Sequence, residues 1–203
     1  MHFKIASVDS LMLYLGEQIS PTLLDQVQSA YHQLQGLKGI IEMTPSYNTL
    51  WIHYDLSMYN YASIQQAIIT RLQHPINTSN QPSGKLIEIP VQYNGLDLQR
   101  VATHHHRSIE EIIALHQAPT YRVYAIGFMV GFAYLAQLDP RIATPRLATP
   151  RTKVPKGSVA IADRQTAIYP QDSAGGWNII GHTDFDAFHT FEIGDRVKFI
   201  DKN

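Results

Sequence analysis

Four prolines recur at every fifth position from Pro140 to Pro155, and each is followed by a basic residue. Proline lacks a backbone N–H and pushes the residue before it into extended geometry. This spacing therefore excludes an α-helix and removes hydrogen-bond donors from any sheet. Residues 140–158, which we call the ladder, are predicted to be extended. The basic residues of the ladder are Arg141, Arg146, Arg151, Lys153 and Lys156.

The charge of the ladder has two possible meanings. No acidic residue occurs from Pro140 to Ala162, although the formal net charge of the chain is only -1. Apolar residues such as Ile142 and Val154 predict that the segment wraps over a folded body and is not a free arm. Arginine offers a planar fork of donors that matches a carboxylate or phosphate. The ladder is thus either a solvated loop that keeps the protein soluble or the wall of an anion site.

Composition excludes several classes of protein. The chain has 203 residues, of which 44% are hydrophobic and 16% charged, as expected for a folded chain. The near-zero net charge gives no indication of nucleic acid or an acidic membrane as partner. Without cysteine there is no disulfide and no cysteine nucleophile. Three consecutive histidines, His104–His106, would fan out around a helix, so no metal site is predicted.

The N-terminal stretch and the length of the apolar runs indicate where in the cell the protein is expected. The N-terminal stretch lacks a long apolar run and a small-residue cleavage site, and no run of about 18 apolar residues occurs in the chain. We therefore expect a cytoplasmic protein with neither a signal peptide nor a membrane span.

A change in composition at "HPINTSNQPSGK", residues 74–85, predicts a linker between domains at 1–80 and 85–203. The first domain alternates strands with two helices. One helix begins at Pro21 with Ser20 as its cap, and the other covers about 60–73. Two helices against one layer of strands predict a small α+β sandwich.

The second domain begins with the strand "KLIEIPVQY", followed by two short helices. Asp97 can cap the first helix, and Ser108 with Glu111 forms a capping box for the second. From Tyr121 onward the helical period disappears, and short apolar runs alternate with Gly, Pro and Asp. This pattern predicts an antiparallel sheet closed into a barrel, so the fold class of the whole chain is α+β.

Two further motifs are candidates for a site. In "SAGGWNIIGHT", Gly175 and Gly176 predict either a close backbone approach or a turn with positive φ, and Trp177 is a core anchor or a pocket wall. The glycines of "GFMVGF" fit a bend or a ligand contact equally. His116, after the second short helix, could be structural, bind an anion or move a proton. No Walker loop, HExxH or GxSxG motif occurs.

The block "LHQAPTYRVYAIGFMVGFAYLAQLDPRIATPRLATPRTKVPKGSVAIADRQTAIYPQDSAGGWNIIGHT" resembles the signature of the allophanate hydrolase subunit 1 family, whose members are also called 5-oxoprolinase B subunits or Kip-type kinase inhibitors. The stretch "GIIEMTPSYNTLWIHYD" is similar to the first-domain pattern of that family. The resemblance covers nearly the whole chain. It implies a small α+β N-terminal domain followed by a cyclophilin-like β-barrel domain.

The resemblance also implies a function. Members of the family work with a partner called allophanate hydrolase subunit 2 or the 5-oxoprolinase C subunit. With a third chain, a lactam-utilisation protein that forms the A subunit, they open 5-oxoproline to glutamate using ATP. The expectation is one subunit of an ATP-hydrolysing 5-oxoprolinase, which shares ATP with its partner.

Three other functions stay open. The alternatives within the family are an inhibitor of a sensor histidine kinase and a component of urea degradation by allophanate hydrolase. A prolyl isomerase is suggested by the barrel type alone, which is a weak warrant.

The family motif, carried over residue by residue, implies two groups of site residues. The predicted catalytic residues are His116, Arg146, Arg151 and Gln165. The predicted substrate-binding residues are Tyr121, Thr166, Tyr169, Gly175, Gly176 and Trp177. The sequence departs from the family pattern in "GFMVGFAYLAQL", where Val130 and Ala133 replace prolines. This departure is expected to change the lining of the pocket and to leave the barrel intact.

Overall fold

The computed structural model describes residues 1–73 and 84–202. The chain divides into two compact units, residues 1–83 and 84–203. The predicted linker at 74–85 lies almost entirely outside the described residues, so the exact domain boundary stays a prediction. Among the described residues, no helix is both long and apolar enough to cross a membrane.

The first unit is a four-stranded antiparallel sheet in the order β1-β2-β4-β3, with two helices. Its elements are β1 (His2–Ser7), β2 (Ser10–Tyr14), α1 (Pro21–Leu34), β3 (Ile40–Ser46), β4 (Thr49–Tyr54) and α2 (Tyr61–Leu72). The Ser20 side chain accepts the N–H of Leu23 at 3.1 Å, which caps α1 as predicted. Buried Leu34, Ile52 and Ile64 belong to one apolar core that joins helices and sheet.

The second unit contains two short helices and nine strands. Its elements are β5 (Leu86–Val91), α3 (Leu98–His104), α4 (Ile109–Gln117), β6 (Tyr121–Ile126), β7 (Ala133–Ala136), β8 (Arg151–Val154), β9 (Ser158–Ala162), β10 (Gln165–Ile168), β11 (Ser173–Gly175), β12 (Asn178–His182) and β13 (Arg196–Asp201). Seven of these strands form one sheet in the order β12-β9-β10-β7-β6-β13-β5, and β8 pairs with β11 separately.

The two edges of the seven-stranded sheet meet. Gln92, just after β5, exchanges backbone hydrogen bonds of 2.8 and 2.9 Å with His182 at the end of β12. The sheet is therefore nearly closed and barrel-like, around an apolar interior that includes Val123, Ile161 and Phe199. Not every pair is antiparallel, because β5 runs parallel to β13.

The ladder is extended only in part. Pro140–Ile142 forms a single 3₁₀ turn, so the prediction of a wholly extended ladder is wrong at its start. Proline at the first position suits such a turn, and the Asp139 carboxylate accepts the N–H of Arg141 at 2.9 Å. The ladder becomes a strand at Arg151–Val154, and buried Ile142 and Val154 hold it against the barrel.

The two predicted caps in the second unit have different outcomes. The capping box is confirmed, because Ser108 Oγ accepts the N–H of Glu111 at 3.2 Å and the Glu111 carboxylate accepts the N–H of Ser108 at 2.9 Å. The cap at Asp97 is wrong, since its side chain makes no bond to α3. Its carboxylate binds groups elsewhere in the barrel, as described below.

Candidate functional site

An open cleft of about 230 Å³ lies on the surface of the second unit. Half of its ten lining residues are aromatic, and these come from β7 and from the segments after β6, β10 and β11. The ladder contributes a cation and a proline. The lining residues are Phe128, Phe132, Tyr134, Arg146, Pro150, Tyr169, Ala174, Gly175, Gly176 and Trp177.

Phe132 is the centre of the aromatic lining. Its ring makes edge-on contacts with Tyr134, Tyr169 and Trp177 at centroid distances of 4.9, 5.3 and 5.8 Å. Edge-to-face pairs of this kind contribute roughly 0.5–1.5 kcal/mol beyond the area they bury. Phe132, Tyr169 and Trp177 are all nearly inaccessible to solvent. The cleft therefore has a rigid, mainly apolar surface before any guest arrives.

Gly175 is required at its position by a close approach. A Cβ added there would lie 2.9 Å from Cζ of Tyr169, well inside van der Waals contact. At Gly176 the nearest atom would be Pro150 Cγ at 3.6 Å, which is an ordinary contact. Neither glycine has positive φ. Of the two interpretations of this pair, close backbone approach holds at Gly175 and the positive-φ turn is wrong at both.

Arg146 places a positive charge at the mouth of the cleft. Its guanidinium carbon lies 5.8 Å from the centroid of the Trp177 ring, within the range of a cation–π interaction. Its side chain is exposed, and no acidic side chain of residues 1–73 or 84–202 forms an ion pair with it. Its charge is therefore available to an anionic guest.

The other cations of the ladder have protein partners. Arg141 pairs with Asp139 at 2.7 Å, and Lys153 pairs with Asp172 at 2.8 Å. Lys156 Nζ lies 5.9 Å from the Phe188 ring. The ladder is thus partly solvated surface and partly cleft wall, and Arg146 is its cation in the cleft.

Two phenols in the cleft stay protonated. Burial raises the pKa of Tyr169. The backbone hydrogen bond from Trp177 and the charges of Arg146 and Arg151 lower this pKa and offset part of the rise. Burial also raises the pKa of Tyr134, and the charge of Arg146 opposes this shift. A protonated phenol can donate a hydrogen bond to an oxygen atom of a guest.

Arg151, predicted as catalytic, has an internal partner. Its Nη2 donates to Oδ1 of Asp97 at 2.7 Å, and Asp97 Oδ2 accepts the N–H of Ile179 at 2.7 Å. Asp97 is 4% exposed, so it requires a positive partner. Arg151 does not line the cleft. The pairing favours a role in holding β8 in place, whereas the prediction has it bind an anion directly.

His116, the second predicted catalytic residue, is fully buried away from the cleft. Tyr93 Oη lies 2.8 Å from its Nδ1, and Thr166 Oγ1 lies 2.9 Å from its Nε2. Because the Thr166 hydroxyl also donates to the carbonyl of Ala160 at 3.1 Å, Nε2 is assigned as the protonated nitrogen and Nδ1 as the acceptor.

Burial lowers the pKa of His116 to about 3, so the ring is neutral near pH 7. A proton carrier needs a pKa near the working pH and access to the substrate. His116 has neither in this structure, and its contacts favour a structural role. The Tyr121 hydroxyl donates to the carbonyl of His116 at 2.7 Å, so His116, Tyr121 and Thr166 form one group inside the barrel.

Gln165, the remaining candidate, begins β10 and pairs with Ala162 of β9 outside the cleft. Sequence reasoning missed the aromatic residues of β7 and the turn before it. Phe132 and Tyr134 are two positions apart, a spacing that can place both on one face of a strand. In the sequence, the glycines of that turn fit either a bend or a ligand contact, and Gly131 has a φ of +80°, as a bend requires.

No group of three or more histidine, aspartate or glutamate side chains within the described ranges could hold a metal ion. A nucleotide triphosphate also fits the cleft poorly. Ligand pockets of drug size are usually larger, about 300–1,000 Å³. Arg146 is the single cation in the lining, which contains no glycine-rich phosphate loop.

Comparisons with known proteins identify relatives along nearly the whole chain. Residues 1–193 match a family model described as the carboxyltransferase domain, subdomain C and D. The chain is 34% identical to the B subunit of 5-oxoprolinase from Bacillus subtilis, over 94% of this chain and 88% of that protein. It is 40% identical to the Haemophilus influenzae protein of the same name, over 86% of this chain and 85% of that protein.

Solved structures agree with the sequence matches. PH0987 from Pyrococcus horikoshii, described as an uncharacterized protein, is 35% identical with a TM-score of 0.57, over 100% of this chain and 98% of that one. TTHA0988 is 33% identical with a TM-score of 0.81; the match covers 97% of this chain but 40% of that one.

The urea amidolyase of K. lactis shares the fold at 17% identity and a TM-score of 0.75, over 98% of this chain and 14% of that one. The predicted family resemblance is confirmed by the family model and by the curated relatives. The chain therefore belongs to the family of carboxyltransferase domains, subdomain C and D, whose members among these relatives are named as the B subunit of 5-oxoprolinase.

Proposed function

We propose that this chain is the B subunit of a cytoplasmic, ATP-hydrolysing 5-oxoprolinase, a multi-subunit hydrolase that opens the cyclic amide 5-oxoproline to glutamate. The names of relatives that are 34% and 40% identical over most of the chain support this role. The observation that carries the proposal is Arg146 above Trp177 at the mouth of a small aromatic cleft, with no acidic partner in the described residues.

The chemistry of the cleft suits a small ring that bears a carboxylate. The flat, weakly polar faces of the ring would pack against Trp177 and Phe132. The guanidinium of Arg146 would bind the carboxylate, and such a charged hydrogen bond contributes about 1.5–3 kcal/mol. The protonated hydroxyl of half-buried Tyr134 would donate to the amide oxygen. In this role the chain binds and orients the substrate.

The cleft is open, and its lining, with one cation and no phosphate loop, suits the binding of 5-oxoproline but not of ATP. We therefore propose that the C subunit, a homologue of allophanate hydrolase subunit 2, covers it and that the lactam-utilisation protein completes the enzyme as the A subunit. Because a nucleotide triphosphate fits the cleft poorly, we propose that residues of the partner subunits supply most of the contacts to ATP. We further propose that the barrel-like unit is cyclophilin-like.

Omission of single chains tests the function. Genes for this chain and for the A-type and C-type homologues of its host would be co-expressed, and glutamate formed from 5-oxoproline would be measured with and without ATP. We expect formation that requires ATP and all three chains. Full activity without this chain would contradict the proposal, as would an assembled complex that leaves 5-oxoproline unchanged.

A further inference from the structure

Asn178 is a fully buried side chain with a complete set of internal partners. Its Nδ2 donates to the carbonyl of Pro145 at 3.0 Å and to the carbonyl of Ile161 at 3.2 Å. Its Oδ1 accepts a hydrogen bond from the Arg100 guanidinium. An amide has two N–H donors and one carbonyl, so these contacts use both of its protons. The charge of Arg100 also fixes which end of the amide faces the carbonyls.

These contacts join the two segments that carry the cation–π pair of the cleft. Trp177 directly precedes Asn178 in the chain, and Arg146 directly follows Pro145. On the far side of the pair, the N–H of Leu147 donates to the carbonyl of Gly176 at 2.7 Å. Hydrogen bonds therefore tie 145–147 to 176–178 on both sides of the place where Arg146 meets Trp177.

Helix α3 supports this link from behind. Arg100 orients the Asn178 amide, and Asp97, one turn earlier, holds the N–H of Ile179 at 2.7 Å. Asp97 also accepts a hydrogen bond of 2.7 Å from the guanidinium of Arg151. Arg151 lies opposite Gly175 in the β8–β11 pair. Arg100 and Asp97 thus hold Asn178 and Arg151, which directly follow the cleft-lining residues Trp177 and Pro150.

We propose that Asn178 is a positioning residue that holds Arg146 over Trp177 for substrate binding, an inference that rests on the proposed function of the cleft. Arg146 has a long, exposed side chain, whose freedom must be lost when a guest binds. Fixing its backbone beside Trp177 lowers that loss. Asn178 touches no guest and acts through Arg146.

The first test measures coupling within the full chain by NMR. The protein has two tryptophans, so in a Trp51→Phe background the remaining indole N–H signal belongs to Trp177. Arg146→Ala should shift this signal. In an Asn178→Ser background, Arg146→Ala should shift it far less, because Arg146 no longer stays over the ring. An equal shift in both backgrounds would overturn the inference. Asn94→Ser, at an exposed position, is the matched control and should leave the full shift.

The second test uses the assembled enzyme and 5-oxoproline. Asn178→Ser should raise KM on the order of tenfold with kcat nearly unchanged, the effect of weakening one charged hydrogen bond. The double variant with Arg146→Ala should be no worse than Arg146→Ala alone. Effects that multiply, or a fall in kcat at constant KM, would refute a positioning role.

Two outcomes, a variant that does not fold and a wild-type enzyme without activity, would each change which measurement is used. If Asn178→Ser does not fold, Arg100→Met removes the group that orients the amide, and both comparisons are made with that variant under the same criteria. If wild-type enzyme does not turn over 5-oxoproline, the proposed function fails, and the NMR coupling alone decides the inference about Asn178.

Discussion

Gly175 has no room for a side chain, because its Cα faces the ring of buried Tyr169. We expect Gly175→Ala to destabilise the protein by about 1–3 kcal/mol, as overpacking of a rigid site does. Gly176→Ala is the matched control and should cost under about 0.5 kcal/mol, since its added methyl group meets Pro150 at normal contact distance. Urea unfolding of the wild type, Gly175→Ala and Gly176→Ala measures their free energies of unfolding. Equal destabilisation by both substitutions would show that Tyr169 does not set the limit.

His116 makes the stability of the fold depend on pH. Its pKa is about 3 in the folded protein against 6.5 for a free histidine, so between these values the unfolded chain binds one more proton than the folded one. The free energy of unfolding should be constant above pH 6.5 and fall by about 1.4 kcal/mol per pH unit below it from this residue. His116→Gln should remove that contribution.

Urea titrations at a series of pH values from about 4.5 to 7.5 measure this slope. His189→Gln, a substitution of the same kind at an exposed position, serves as the control and should keep the wild-type slope. A His116→Gln protein with the wild-type slope would show that the buried histidine is not the group that titrates.

At the scale of secondary structure, α3 is held by a tertiary ion pair and has no side-chain cap at its start. Local rules predict that Asp97 caps the helix, but its carboxylate binds Arg151 and the N–H of Ile179. A buried carboxylate gains more from a cation and a backbone donor than from one helix N–H. At α4 the Glu111 carboxylate also pairs with Arg107 at 3.2 Å and still accepts the N–H of Ser108, so the predicted box forms.

This difference predicts unequal costs for two aspartates. Asp97→Asn should destabilise the protein by about 2 kcal/mol, below the 3–5 kcal/mol of a fully buried pair because Arg151 is 27% exposed and can be rehydrated. Asp184→Asn removes an exposed pair with Lys202 and should cost about 0.5 kcal/mol or less. Chemical denaturation compares the two. A cost for Asp97→Asn no greater than for Asp184→Asn would contradict the structural role given to the pair.

At the scale of the whole molecule, the sequence predicted the helices and strands better than the tertiary contacts between them. Short-range signals were sufficient for α1 and α4, because caps and helical periodicity act within one or two turns. The cleft combines Phe132, Tyr169 and Trp177, which lie on separate strands or turns. Only the register of the sheet brings them together, and no local pattern encodes that register.

The predicted site residues divide for the same reason. Arg146, Tyr169 and Trp177 meet in the cleft, whereas His116 and Thr166 meet inside the barrel. The family motif marks both groups as one series along the chain, and the fold separates them into a surface site and a buried hydrogen-bonded group. Residues of one motif series therefore lie in two different places in the fold.

The most direct test of the account is the 5-oxoproline concentration dependence of the assembled enzyme with Arg146→Ala. Loss of one charged hydrogen bond to the carboxylate predicts a rise in KM of roughly 10- to 100-fold. Arg141→Ala is the matched control, because Arg141 already pairs with Asp139 in solvent, and it should keep the wild-type KM. An Arg146→Ala enzyme with wild-type KM and kcat would contradict the claim that this arginine binds the substrate in the cleft.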